Sequence, residues 1–172
     1  MILPKHPLLV ATCLAVSVFL SGTVRAEVVG AYKNWTALAE AEGSGKVCFI
    51  VSVPEKSEPG NVNRGDIYML VTHRPHEKSI GVVNMQAGYP YKARSEAAIR
   101  IGSETFRLFT DGENAWAPDE ATDRALVGAM KGGNTMVVTG VSSRDTKTTD
   151  TFSLSGFTAA YSAASKACGI KP

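Results

Sequence analysis

The chain has 172 residues, 44% of them hydrophobic and 20% charged, with 18 Lys and Arg against 16 Asp and Glu. That length suits one domain with a real core. A formal charge of +2 with the two signs interspersed leaves no electrostatic footprint for nucleic acid or for an anionic membrane surface, so neither partner is expected.

The start of the chain reads as a leader. Lys5 and His6 are basic, Leu8 to Leu20 is almost wholly apolar, and Val24-Arg25-Ala26 puts small residues where a signal peptidase reads them. Residues 1–26 are therefore expected to be cleaved as a signal peptide, leaving residues 27–172 as a single domain. The apolar run of about thirteen residues is shorter than the roughly twenty that a spanning helix needs, and no later run is longer. No integral membrane segment is expected after cleavage. A lipoprotein reading at Cys13 fails because Thr12 precedes it and most of the apolar run follows it. Lys5 and Arg25 leave with the leader and no acid does, which makes the mature chain formally neutral.

The first expected strand is Lys46 to Val53, nearly continuous in apolar residues, followed by a loop rich in turn formers (Pro54, Pro59, Gly60, Asn61, Asn63) and a second strand over Asp66 to Arg74. Ser79 to Met85, Ala97 to Ile101 and Phe106 to Phe109 continue the pattern, with Gly102-Ser103 as a tight turn. Beyond Pro118 and Asp119, Ala121, Ala125, Leu126, Ala129 and Met130 recur at helical spacing, and Gly132-Gly133 offers a left-handed stop. Thr135 to Ser142 and Thr149 to Leu154 are strands around a polar hairpin tip, Arg144 to Thr148. Ser155 is expected to cap a second helix whose Phe157, Ala160, Tyr161, Ala164 and Cys168 share one face, ending at Gly169. Seven or more short strands without alternating helices predict a mainly β fold, a β-sandwich with one or two short helices. Trp35, Phe49, Phe106, Trp116 and Phe157 are its expected aromatic core.

Cys48 and Cys168, the two cysteines left after cleavage, are an even pair in a compartment where disulfides persist. By strand and helix period both thiols face the core, so a Cys48 to Cys168 bridge is expected, worth about 4 to 5 kcal/mol in the chain-entropy model.

Chemical motifs are mostly missing. There is no Gly-x-Ser-x-Gly elbow, no His-Glu-x-x-His and no Ser-x-x-Lys. Gly45-Lys46 fails as a phosphate loop, since Glu40 and Val47 stand where a glycine and a hydroxyl residue are needed. Asn34-Trp35-Thr36 is a three-residue sequon match that carries little weight. His73 and His76 lie three apart around Arg74 and Pro75, point to opposite faces of a strand end and lack a nearby cysteine, so no metal and no cofactor is expected. Either histidine could still meet a serine in space and act as a base. Arg64, Arg74 and Arg144 offer themselves as a recognition patch, against the commoner role of pairing with carboxylates such as Asp66 and Asp150. Tyr89-Pro90-Tyr91 is a proline-stiffened aromatic loop suited either to binding or to packing. Arg74, Tyr89, Tyr91 and Arg144 are thus the candidate binding surface; no catalytic residue is assigned.

Arg64-Gly65-Asp66, Val71-Thr72-His73-Arg74-Pro75, Gly88-Tyr89-Pro90-Tyr91, Ala115-Trp116 and Ala129-Met130-Lys131-Gly132 together resemble the invasion-associated locus B family. The stretch from Ser142-Ser143-Arg144 through Thr148-Thr149-Asp150-Thr151-Phe152-Ser153-Leu154-Ser155-Gly156-Phe157-Thr158-Ala159-Ala160 to Cys168 is similar to the family's most specific part, and the likeness runs from about Trp35 to Cys168. Two departures stand out. Many members carry a cysteine where this chain has Ala37, Leu38 and Ala39, and Asp145 stands where glycine is usual. The resemblance implies an exported protein of Gram-negative bacteria with an immunoglobulin-like β-sandwich, a name linked to host-cell invasion and no known catalytic residues. The expectation is an exported, non-enzymatic binding or accessory protein, periplasmic, outer-membrane-associated or secreted, with an unidentified envelope or host protein as partner. The alternatives are a general envelope protein, a small envelope enzyme with a site around His73, Arg74 and His76, and a secreted inhibitor presenting the Tyr89 to Tyr91 loop.

Overall fold

A computed structural model describes residues 26–171, so the leader expected over residues 1–26, Cys13 included, lies outside the described residues apart from Ala26. The strands are β1 (Glu27–Tyr32), β2 (Trp35–Glu42), β3 (Gly45–Ser52), β4 (Lys56–Glu58), β5 (Tyr68–Arg74), β6 (Ser79–Gln86), β7 (Glu96–Ile101), β8 (Glu104–Asp111), β9 (Asn114–Trp116), β10 (Thr135–Val141) and β11 (Lys147–Ser153). Among the described residues there are also two helices, α1 (Glu120–Gly132) and α2 (Phe157–Ala167), and a 3₁₀ turn at Pro75–Glu77. None of the described helices is long and apolar enough to cross a membrane.

The mainly β expectation holds, with one refinement of its architecture. All 11 strands join one antiparallel sheet in the order β1-β2-β3-β5-β6-β9-β8-β7-β10-β11-β4. The sheet turns back on itself until its ends touch: Trp35 Nε1 donates to Ser153 O at 3.0 Å, and Asn34 N to Ser155 O at 3.3 Å. Its two halves enclose one hydrophobic cluster, a sandwich-like arrangement of an unbroken sheet.

Alternation explains which aromatics fill that cluster. Trp35, Ala37 and Ala39 of β2, Cys48 and Ile50 of β3, and Met69 and Val71 of β5 face inward. Phe49 and Trp116 are one residue out of phase and emerge half-buried on the outer face, and Phe106 near the start of β8 is only partly covered, which corrects the expected aromatic core. Trp35 and Phe157 are fully buried and meet edge to face at 5.0 Å.

Four strands escaped the sequence reading. β2 is Trp-Thr-Ala-Leu-Ala-Glu-Ala-Glu, whose alanines and glutamates are depleted in strands, and pairing with β1 and β3 on both sides overrides that preference. β1 is an edge strand with a bulge between Val28 and Gly30, while β4 and β9 have three residues each.

The helix ends also differ from expectation. Asp119 caps α1, its carboxylate accepting from Thr122 N at 2.7 Å. The stop at Gly133 is extended (φ −89°, ψ 167°), not left-handed. Glycine stands there for space, because a Cβ would sit 2.5 Å from Ile101 Cγ2 and 2.9 Å from Leu154 Cδ1. Ser155 does not cap α2: Gly156 does, at φ +94°, where a Cβ would lie 1.8 Å from Tyr32 O. The chain end is stapled by the Cys48–Cys168 disulfide, Cα atoms 5.9 Å apart and 120 positions apart in sequence, as expected.

Candidate functional site

The most built polar feature is a cleft of about 400 Å³ between the β10–β11 hairpin and the loops that carry Arg64 and Tyr89. Its foundation is Arg64, whose side chain is 6% exposed against 2% for its partner Asp150. The guanidinium donates bidentately to Asp150, Nη1 to Oδ1 at 2.7 Å and Nη2 to Oδ2 at 2.8 Å, and to Ala87 O through Nη2 at 2.7 Å and Nε at 3.1 Å. It also lies 4.8 Å from the centre of the Tyr89 ring. One buried cation thereby ties the loop before β5, the loop after β6 and strand β11 together. Of the two carboxylates weighed from sequence, Asp150 rather than Asp66 is the partner.

Tyr89 and Tyr91 are buried, meeting edge to face at 5.2 Å. They pack across Gly140 of β10, where a Cβ would fall 2.7 Å from the Tyr91 ring and 2.8 Å from the Tyr89 hydroxyl. Tyr89 Oη and Thr148 Oγ1 share a 2.6 Å hydrogen bond. Burial raises the pKa of both phenols, so both stay neutral at physiological pH. The Tyr89 to Tyr91 loop therefore contributes the floor of the cleft, through Tyr89, with Pro90 exposed at its edge.

The mouth belongs to the β10–β11 turn. Ser142 Oγ accepts from Arg144 N at 3.3 Å and Thr146 N at 3.2 Å, which fixes the turn. Asp145 takes a left-handed conformation at φ +61°, a conformation that glycine adopts without strain, and pairs with Lys92. Arg144 and Ser143 are left exposed above the cleft. A positive charge over a floor of hydroxyls (Tyr89, Ser142, Thr146, Thr148) suits a ligand group rich in acceptor oxygens.

The three arginines do not form one patch. Arg64 is internal, Arg144 guards the cleft, and Arg74 lies elsewhere, donating through Nε to both carboxylate oxygens of Glu42 at 3.2 and 2.9 Å. Arg74 is not among the residues lining the cleft.

The histidines part company as expected from their spacing. His73 is fully buried beneath α2. Gly81 N donates to its Nδ1 at 3.0 Å, which leaves the proton on Nε2 to be donated to Ser165 Oγ at 3.2 Å; Ser165 in turn donates to Tyr161 O at 2.8 Å. Burial, with a smaller contribution from Lys131, lowers its pKa to about 4. Both ring nitrogens are engaged, so His73 holds α2 on the sheet and faces no cleft. His76 lies outside, with ligand atoms of Glu42 and Glu77 within 4.8 Å. A cation there would compete with the Arg74 guanidinium for Glu42.

Asp123 of α1 is 6% exposed and accepts from Val83 N at 2.8 Å. Strand β9 covers only Asn84–Gln86 of β6, so Asp123 satisfies an amide that no strand reaches. Burial raises its pKa. Nothing in the sequence marked this residue, whose partner is distant in the chain.

Residues 35–165 match the family described as Invasion associated locus B (IalB) protein. No curated protein and no solved structure matches the chain.

Proposed function

The chain belongs to the invasion associated locus B family, and from that premise we propose that it is an exported, non-enzymatic binding or accessory protein of the bacterial envelope, which engages its partner at the Arg144 cleft. The disulfide and the family are consistent with export; the periplasm, with access to the outer membrane, is the compartment we infer. The observation that carries the reading is the division of labour between two arginines. Arg64 is consumed in a buried ion pair that makes the cleft floor rigid, while Arg144 at its mouth has no ion-pair partner among the described residues and keeps its charge for a ligand. A preorganised floor with an available cation lowers the ordering cost of recognition.

The competing enzyme reading places a site around His73, Arg74 and His76. His73 has both nitrogens engaged and is fully buried, so it offers no proton-transfer path to a substrate at the surface, which leaves that reading the surface His76 beside Glu42 and Glu77.

The test is capture from envelope extracts by wild type, Arg144→Ala and Arg124→Ala, Arg124 being an exposed arginine of α1 paired with Glu120. A protein retained by wild type and Arg124→Ala but lost by Arg144→Ala is the expected result. Equal recovery by all three refutes the cleft, and a hydrolytic activity that copurifies with the protein and survives refolding refutes the non-enzymatic reading.

A further inference from the structure

The outer surface of the sheet is divided in a way that the interior does not require. Over strands β7, β10, β11 and β4 the outward row is mostly polar: Arg100, Thr151 and Lys56 flank a single apolar residue, Val137. Over strands β2 to β8 the corresponding row reads Thr36, Val51, Leu70, Asn84, Trp116 and Phe109 in continuous register. The next row is Leu38, Phe49, Thr72 and Val82. These residues point away from the core, Asn84 among them being 4% exposed, and the buried apolar residues of both helices belong to the inner cluster instead. Phe109 is 50% exposed and Val53, at the far margin of the same face, 65%. Contiguous apolar surface on this scale marks an interface.

We propose that this face is a homodimer interface, its occupant a second copy of the chain packed sheet to sheet. Three observations favour that occupant. The charges at the rim are already compensated, Arg74 by Glu42 at 2.9 Å and Arg107 by Glu96 at 3.2 Å, which leaves no net field for an anionic lipid surface or a charged peptide. The face is large at one end, where Trp116 and Phe109 project, and small at the other, where Thr36 lies beside Ala31. A two-fold axis parallel to the strands lays the aromatic end of one copy over the small end of the other. Finally, six strands spaced about 4.8 Å apart and two rows about 7 Å apart span about 400 Å² in projection. With its corrugation counted, that lies below the roughly 800 Å² per partner of a standard interface and in the range of a weak, concentration-dependent dimer. The proposal stands apart from the Arg144 cleft, which opens on different strands.

Sedimentation velocity of the mature, disulfide-bonded protein from about 1 to 100 μM is the experiment, with Phe109→Glu and, on the polar half, Val137→Glu as its control. A dimer of wild type and Val137→Glu is expected, with the dissociation constant raised at least about 100-fold in Phe109→Glu, because a carboxylate would be buried in an apolar contact. Wild-type fluorescence gives a readout free of any folding defect in the variant: dilution should red-shift Trp116 emission while buried Trp35 stays silent. A wild-type monomer at the highest concentration overturns the proposal, and so does a dimer that Phe109→Glu leaves intact or emission that ignores dilution. A monomer that cosediments with neutral phosphatidylcholine vesicles would assign the face to lipid instead and equally overturn it.

Discussion

Removal of Asp150 tests the account of the cleft most directly. Its carboxylate is 2% exposed and receives two short charge-assisted hydrogen bonds, 2.7 and 2.8 Å, from a guanidinium that is itself 6% exposed. Breaking a buried pair from one side typically costs 3 to 5 kcal/mol, because an uncompensated charge remains. In Asp150→Ala the stranded Arg64 keeps Ala87 O and the face of Tyr89, which places the expected loss at the lower end, about 3 kcal/mol. Arg64→Met should cost a comparable amount near neutral pH. The double variant Arg64→Met/Asp150→Leu leaves no orphaned charge and should lie within about 1.5 kcal/mol of wild type. A double-mutant cycle by urea unfolding of the disulfide-intact protein, followed by circular dichroism, measures all four corners. The expected coupling is several kcal/mol. Single variants that each cost under about 1 kcal/mol and add within about 0.5 kcal/mol would show an exposed-type ion pair, and the rigid floor would be refuted.

Three further outcomes follow from particular contacts. The pKa of His73 falls from 6.5 to about 4 on folding, so its neutral form favours the native state fully above pH 6.5 and that advantage is lost as pH drops towards 4, by about 2 to 3 kcal/mol; urea midpoints across that range should fall less steeply in His73→Gln. Reducing the disulfide, or Cys168→Ser, frees a loop closed across 120 positions and should cost about 4 to 5 kcal/mol, read as a drop in the urea midpoint. Gly156→Ala drives a methyl to 1.8 Å from Tyr32 O and should cost more than about 3 kcal/mol, whereas Gly128→Ala on the exposed side of α1 meets nothing within 4 Å and should raise stability by about 0.5 to 1 kcal/mol, compared by thermal melting.

The reach of the sequence differs from element to element. Strands β3, β5, β6, β10 and β11 were visible because β-branched and apolar residues concentrate between turn formers. Strand β2 was not, since alanine and glutamate carry no strand signal until two neighbours pair with it. At the cleft, Tyr89 and Arg144 were legible as unusual residues in turns, and both line it. The same reasoning grouped Tyr91 and Arg74 with them, yet Tyr91 packs against Gly140 and Arg74 answers Glu42. Arg64 was seen as a pairing residue, but its place as the keystone beneath the cleft was not.

By itself the sequence determined what local chemistry and pattern can carry: a mainly β chain, a leader to be tested, two cysteines facing inward, and a family. Periodicity and turn chemistry act over a few residues and leave a mark in the order of side chains. The tertiary structure alone decided that the strands form one sheet closing on itself, that His73 is buried while His76 is not, that Asp123 answers an amide 40 positions away, and that one half of the outer face is apolar. Each of these depends on which distant segments become neighbours, and burial, pairing and exposure exist only once that choice is made.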